Sequence, residues 1–448
     1  MPKDPKQKQN QTVPPESPEA SAPQHSGALQ RVGRYWHMLG PGLTTGAADD
    51  DPSGIATYSQ VGAKYGFRML WLSPLSFPLM AVVQEMCARI GLVTGRGLAG
   101  NIRRRYPRWV LYLCTALLFF ANTFNIGADL GAMGKATQLL LPRLDFSLLV
   151  VFFALFSLLL QVLVSYRRYA GFLKWLSLVL LAYVLSALVI DLDWLKVLKE
   201  TVTPSLRFNR EEILLVTGVL GTTISPYLFF WQTSQEIEEQ IMEGKKTIKQ
   251  RAAVTTPEEI SKMRVDVWFG MFLSNLVMFF IIAACGATLF RNGITQIATA
   301  AEAAEALRPF AGDLSYFLFT IGIVGVGLLG IPVLAGSASY DISESFGWRE
   351  GLYRKFRQAQ AFYGIIILSV LAGLIMNFVG LDPIKALIYS AIANGVVAPV
   401  ILILIVVLSS DRKVMGERAN GPALRVVGWL AVVLMLAASL STLYFLVF

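Results

Sequence analysis

The segment GAADDDPSGIA, residues 46–56, decides the fold of this chain. Three consecutive carboxylates, Asp49–Asp51, stand directly before Pro52 in a stretch that is otherwise apolar enough for a membrane helix. If the span begins about 11 residues earlier, Asp51 lies roughly 16 Å along it, close to the middle of the bilayer. A helix that restarts at that depth has been broken there, and exposed backbone is tolerated there only inside protein or beside a water-filled cavity.

The composition of the chain indicates a polytopic membrane protein. Of its 448 residues, 54% are hydrophobic and 15% charged, and the mean hydropathy is +0.55. We expect one transmembrane domain over residues 31–448. Residues 1–30 are rich in Pro, Gln and Ser, and they predict a disordered cytoplasmic tail without the apolar region of a signal peptide.

The apolar runs predict an all-α protein with eleven transmembrane helices. The predicted spans are 38–62, 69–93, 109–141, 146–166, 170–191, 213–237, 266–291, 314–339, 359–381, 383–409 and 426–447.

The distribution of basic residues predicts the orientation of the bundle. With a cytoplasmic N-terminus, the inside loops carry roughly twice as many Lys and Arg residues as the outside loops. We therefore expect a multi-pass protein of the plasma membrane (the inner membrane of a bacterium), with an extracytoplasmic C-terminus. Most of the basic residues behind the net charge of +9 lie in the loops between the spans, where they set the orientation in the membrane. No nucleic-acid partner is therefore expected.

The sixth span repeats the interruption of the first, because Pro226 follows Ser225 roughly 18 Å into it. Spans one and six are five apart, so paired breaks predict a LeuT-like inverted repeat of helices 1–5 and 6–10, with the binding site between the halves. Two simpler explanations remain open: Asp51 acts only as a helix N-cap, and Pro226 only kinks its helix. Carboxylates inside a membrane favour a functional site.

Enzymatic chemistry is not expected. The only histidines, His25 and His37, precede or enter the first span, and the three cysteines stand singly in apolar runs. No zinc-ligand spacing or Ser-His-Asp set can be assembled from these residues. We expect no cofactor.

Four motifs together resemble the natural resistance-associated macrophage protein (NRAMP) family of divalent-metal transporters. They are DPSG (Asp51–Gly54), ARIGLVTGRGLAGNIRRRYP (Ala88–Pro107), GADLGAMGKA (Gly127–Ala136) and GTTISPY (Gly221–Tyr227). The resemblance covers about residues 38–445 and implies alternating-access transport.

The resemblance also implies a set of site residues, several of which depart from the family pattern. The metal ligands would be Asp51, Asp50, the Thr222 carbonyl, Gly54 in place of the family's Asn and Ser225 in place of its Met. The cavity around them would be lined by Asp49, Asn122, Asp129, Tyr227 and Gln232, where Tyr227 and Gln232 replace the family's two histidines, and Asn122 and Ala132 replace acidic residues.

These departures favour a hard cation, because carboxylate, carbonyl, hydroxyl and water suit Mg²⁺, whereas Met and His suit softer metals. The chain is most similar to the NRAMP-related magnesium transporter branch. This implies a monomer surrounded by membrane lipid that imports Mg²⁺, and also Mn²⁺, without obligatory proton coupling. The alternatives are a proton-coupled carrier of Mn²⁺ or another transition metal, and a cation channel.

Overall fold

The computed structural model describes residues 40–164, 184–185, 189–190, 192–253, 255–308 and 312–448. This part of the chain is helical and contains no strand. The helices are α1 (Pro41–Asp49), α2 (Pro52–Tyr65), α3 (Leu72–Thr94), α4 (Leu98–Arg105), α5 (Arg108–Leu140), α6 (Phe146–Leu163), α7 (Trp194–Val202), α8 (Arg210–Thr223), α9 (Pro226–Met242), α10 (Ile248–Ala253), α11 (Pro257–Cys285), α12 (Ala300–Glu305), α13 (Ser315–Phe346), α14 (Gln360–Met376), α15 (Pro383–Ser410), α16 (Arg412–Met415) and α17 (Pro422–Val447).

The predicted class, an all-α membrane bundle, is confirmed. Eight helical segments in the described ranges are long and apolar enough to cross a membrane. The first predicted span, which consists of α1 and α2 and contains three consecutive aspartates, is not among them, and neither is the shorter α14. The fifth predicted span, 170–191, and the predicted tail, 1–30, lie mostly or wholly outside the described residues. The count of eleven helices therefore stays a prediction.

Two predicted span ends show the largest differences from the ends of the helices. The seventh predicted span, 266–291, belongs to α11, which begins at Pro257 behind a capping box formed by Thr256 and Glu259. The eighth, 314–339, belongs to α13, which continues to Phe346. Hydropathy identifies only the part of a helix that is apolar enough to lie in the hydrocarbon core of the membrane. The helix itself continues into polar sequence until a cap ends it, so it is longer than the apolar stretch.

Both predicted interruptions are present, each as a break of two residues. The first lies between α1 and α2, where Asp51 is the N-cap and Pro52 the first helical residue. The second lies between α8 and α9, where Ser225 has extended backbone dihedrals and Pro226 opens the next helix. Proline suits this position because it lacks the N–H that would be unsatisfied there. The same local device therefore restarts the helix in both spans.

Close backbone contact fixes α1 against α11. A Cβ atom added at Gly46 would lie 2.2 Å from the carbonyl oxygen of Gly270, so glycine is required at this crossing. The Asp266 carboxylate of α11 accepts hydrogen bonds from the backbone N–H groups of Gly40 at 2.8 Å and Gly42 at 2.7 Å. A carboxylate at a helix N-terminus satisfies free N–H groups and complements the helix dipole. These contacts hold the segment that leads into the first break.

The long helix α5 packs against α13, α14 and α15, while α8 packs against α15 and α17. The α1–α2 break lies within reach of α5, α9, α11 and α13, as the contacts of the candidate site show below. Polar side chains of α5, α9 and α11 thus meet, with α13 packed beside them, at a point where the main chain of the first span is not helical.

Candidate metal site

The Asp51 carboxylate lies at the first break and is 1% exposed. One oxygen, Oδ1, accepts hydrogen bonds from the Ser53 hydroxyl at 2.6 Å and the Gly54 N–H at 2.9 Å. The other, Oδ2, accepts one from the Asn125 amide at 2.7 Å and lies 3.4 Å from the Tyr227 hydroxyl. One oxygen therefore caps α2, and the other faces the helices around the break.

The Tyr227 hydroxyl lies between two oxygens that would suit a cation. It donates to the Ala48 carbonyl at 2.9 Å, and it is also 3.4 Å from Asp51 Oδ2. Its single proton serves one acceptor at a time, and the shorter contact to the carbonyl is the better hydrogen bond. In this conformation the tyrosine occupies the space that an ion bridging Ala48 and Asp51 would need.

The other two aspartates of the triplet have a different set of neighbours. Asp49 Oδ2 accepts a hydrogen bond from the Ser274 hydroxyl of α11 at 2.7 Å. Asp49 Oδ1 and both oxygens of Asp50 are buried, and no described residue hydrogen-bonds to them. Buried polar atoms without partners are costly and usually mark a functional group or an ordered water. The structure thus places Asp50 at the break, where it does not share the hydrogen-bond partners of Asp51.

At the second break, the two predicted ligands contact each other. The Ser225 hydroxyl lies 2.6 Å from the carbonyl oxygen of Gly221 and 2.7 Å from that of Thr222. It satisfies carbonyls that the end of α8 leaves without helical partners. The Thr222 hydroxyl is also 3.0 Å from the Tyr58 hydroxyl of α2. Tyr58 of the first span therefore contacts the sixth span, and Tyr227 of the sixth span contacts the first.

The absence of a side chain at Gly54 is partly offset by Tyr58. A Cβ atom at Gly54 would lie 3.4 Å from Cε2 of the Tyr58 ring and 3.2 Å from the Asp49 carbonyl oxygen. The ring therefore covers the face of α2 that a larger residue at position 54 would occupy.

One face of α5 supplies the amide and carboxylate groups of the third span. Asn122, Asn125 and Asp129 are three and four residues apart, so they follow one another along the same side of the helix. All three are fully buried. The Asn122 amide donates to the Leu334 carbonyl of α13 at 2.9 Å, so this side chain is tied to α13.

Asp129 lies close to the Asp51 backbone across Gly330 of α13. A Cβ atom at Gly330 would be 3.1 Å from Asp51 Cβ and 3.7 Å from Asp129 Oδ2. No described residue hydrogen-bonds to either oxygen of Asp129. The structure therefore brings Asp129 to the predicted site without giving it a protein partner.

Gln232 is set apart from this group. Its amide donates to Glu236 Oε1 one helical turn further along α9, at 2.9 Å. None of the described hydrogen bonds joins Gln232 to Asp51 or to the residues that contact it. Gln232 belongs to the polar face of α9 that leads away from the break.

Sequence reasoning missed four participants: Asn125, Tyr58, Ser274 and the Ala48 carbonyl. Asn125 could have been found from its helical spacing to Asn122 and Asp129. Ser274 has no sequence signal, because it reaches Asp49 from a helix more than 200 residues away.

The described residues hold no group of three or more His, Cys, Asp or Glu side chains arranged to bind a metal.

Comparisons with known proteins agree with this architecture. The family described as Natural resistance-associated macrophage protein-like matches residues 42–445. The divalent metal cation transporter MntH of Klebsiella pneumoniae strain 342 is 26% identical over 410 residues, covering 89% of this chain and 92% of that protein. The corresponding MntH of Aeromonas hydrophila is 25% identical over 413 residues, 89% of this chain and 93% of that protein.

Two solved structures share the fold. A crystal structure of the Eremococcus coleocola manganese transporter superposes with a TM-score of 0.72 at 20% identity, covering 92% of this chain and 87% of that one. The inward-facing conformation of Mhp1 gives a TM-score of 0.51 at 14% identity, covering 91% and 90%. At these identities the likeness concerns the fold alone, and it supports the LeuT-like class predicted from the paired breaks.

Proposed function

Because this chain belongs to the Natural resistance-associated macrophage protein-like family, we propose that it transports divalent metal cations across the membrane by alternating access. The preferred cation is Mg²⁺, with Mn²⁺ as a second substrate, and transport has no obligatory proton coupling. Uptake runs into the cell under the predicted orientation, with the N-terminus in the cytoplasm of a bacterium and the protein acting as a monomer.

One observation carries the preference for Mg²⁺. The described groups that contact the Asp51 carboxylate are the Ser53 hydroxyl, the Gly54 N–H, the Asn125 amide and the Tyr227 hydroxyl, and none of them offers a sulfur or imidazole ligand. Oxygen ligands suit hard cations, and Mg²⁺ dehydrates reluctantly, so it is held by one or two carboxylates with several waters retained. Sulfur or imidazole would be expected for selective binding of softer metals.

The proposal of uncoupled transport rests on residue chemistry and on energetics. Tyr227 and Gln232 stand where proton-accepting imidazoles would be needed, and neither side chain exchanges protons readily near neutral pH. A divalent ion that moves down an inside-negative potential gains about 4.6 kcal/mol per 100 mV. That free energy corresponds to about three decades of accumulation, so uptake needs no proton gradient.

The test is ion uptake by the purified full chain in proteoliposomes under an inside-negative potential, with internal pH recorded at the same time. Mg²⁺ uptake without internal acidification is expected, with weaker Mn²⁺ uptake and little Ca²⁺ uptake. The control is Asp51→Ala protein prepared identically. Mn²⁺ uptake accompanied by acidification, with no Mg²⁺ uptake, would instead identify a proton-coupled manganese carrier.

A further inference from the structure

Asn125 is the described side chain with the shortest contact from another helix to the Asp51 carboxylate. Its Nδ2 donates to Asp51 Oδ2 at 2.7 Å, across 74 residues of sequence. The orientation of the amide follows from chemistry, because an ionised carboxylate only accepts hydrogen bonds and must face the N–H₂ end. The oxygen end of Asn125 therefore points away from that bond.

The oxygen of the same amide has no partner. Asn125 is 0% exposed, and no described residue hydrogen-bonds to its Oδ1. Leaving a buried amide oxygen unpaired is costly, so in native proteins such atoms usually meet a water, an ion or a ligand. Since Oδ1 is two covalent bonds from Nδ2, it lies near the Asp51 carboxylate although it does not face that hydrogen bond.

The neighbouring amide on the same helix face is bound differently. Asn122 donates to the Leu334 carbonyl of α13, so it is committed to helix packing. Asp129, one turn beyond Asn125, also carries oxygens without described partners and lies near Asp51 across Gly330. Asn125 thus contacts one buried carboxylate, that of Asp51, and lies one helical turn from another, that of Asp129.

We propose that Asn125 Oδ1 is a ligand of the transported cation, bound directly or through one water of the ion's hydration shell, while Nδ2 orients Asp51. This inference rests on the proposed function. An amide oxygen is a hard, neutral donor, which suits Mg²⁺ and adds no charge that would hold the ion too tightly for release. Asn125 would therefore set affinity and release rate together.

The experiment separates an oxygen ligand from a side chain that only holds Asp51 in place. Asn125→Leu removes both the donor and the oxygen, and it should raise the KM for Mg²⁺ uptake about tenfold, with a smaller change in maximal rate. Asn125→Asp keeps an oxygen and, in its ionised form, cannot donate to Asp51. If Oδ1 is a ligand, the added charge should lower the KM below that of wild type and slow release, because two adjacent carboxylates are stabilised by the cation.

The control is Thr123→Val on the same helix. The Thr123 carbonyl lies on the side of α5 that faces Gly373 of α14, away from Asp51. This variant should keep the wild-type KM. Mg²⁺ binding to each purified protein, measured by calorimetry, provides a readout that does not depend on transport.

Three outcomes overturn the inference while the wild type still transports: an unchanged KM in Asn125→Leu, a raised KM in Asn125→Asp, or an equal loss in Thr123→Val. If Asn125→Leu fails to give monodisperse protein, the sign of the change in Asn125→Asp decides alone. Absence of any divalent-cation uptake by wild type would instead refute the proposed function.

Discussion

Tyr227→Phe should make the transporter bind Mg²⁺ more tightly. In the structure the Tyr227 hydroxyl donates to the Ala48 carbonyl at 2.9 Å and lies 3.4 Å from Asp51 Oδ2. A cation that takes both oxygens must first displace this hydroxyl. The tyrosine is therefore expected to act as a tethered competitor for the site.

The magnitude follows from the hydrogen bond that the hydroxyl makes. A neutral hydrogen bond contributes about 1 kcal/mol net, and the longer contact to Asp51 adds little. Removing the hydroxyl leaves the buried Ala48 carbonyl without this donor in the empty state, whereas the loaded state keeps the ion as its partner. The KM for Mg²⁺ should fall about fivefold, since about 1.4 kcal/mol corresponds to tenfold.

The assay is the Mg²⁺ concentration dependence of uptake in proteoliposomes, together with calorimetric binding to the purified protein. Tyr363→Phe is a matched control, because the Tyr363 hydroxyl also donates to a backbone carbonyl, that of Arg354 at 2.7 Å, at another site. A rise in KM for Tyr227→Phe would show that the hydroxyl is itself a ligand. An unchanged KM would show that the ion does not enter the space between Ala48 and Asp51.

Three further predictions concern the breaks and the packing around them. Asp51→Ala should abolish uptake and lower the free energy of unfolding by about 1 kcal/mol, because the N-cap of α2 is lost. Asp51→Asn should keep the N-cap and still lose uptake. Thermal unfolding and transport, measured on both proteins, separate the two effects. The double variant Gly54→Asn, Ser225→Met should shift the ion preference towards Mn²⁺. An about hundredfold excess of Mg²⁺ should then suppress Mn²⁺ uptake less in the double variant than in wild type. If the suppression is equal in the two proteins, the role given to ligand softness is wrong. Gly46→Ala should prevent stable packing of α1 on α11, seen as loss of monodisperse protein, whereas Gly364→Ala, where a Cβ atom meets nothing within 4 Å, should be tolerated.

The sequence was sufficient to locate both breaks to within one residue. Asp51 and Ser225 each precede a proline in an apolar run, and proline can begin a helix but not continue one. That rule acts on neighbouring residues, so it can be applied without knowledge of the fold. The separation of the two breaks by five spans then predicted an inverted repeat with one binding site between the halves.

The contacts between the breaks could not be predicted in the same way. Tyr227 was expected to line the cavity, yet its position against the Ala48 carbonyl depends on how α9 crosses the first span, 179 residues away in sequence. Helical spacing shows which face of α5 carries Asn125, but it does not show which helix that face meets. Likewise, the sequence shows that position 54 carries no side chain, and only the structure shows the Tyr58 ring against Gly54.

The capping and functional interpretations of Asp51 are compatible because its two carboxylate oxygens have separate tasks. Oδ1 is held by the Ser53 hydroxyl and the Gly54 N–H, which fixes the side chain at the start of α2. Oδ2 is left to face other helices, where its partners belong to α5 and α9. Alternating access requires a ligand that stays in place while its surroundings change, and a carboxylate anchored through one oxygen meets that requirement. The cap therefore supports the site, since an unanchored aspartate would lose side-chain entropy each time an ion bound.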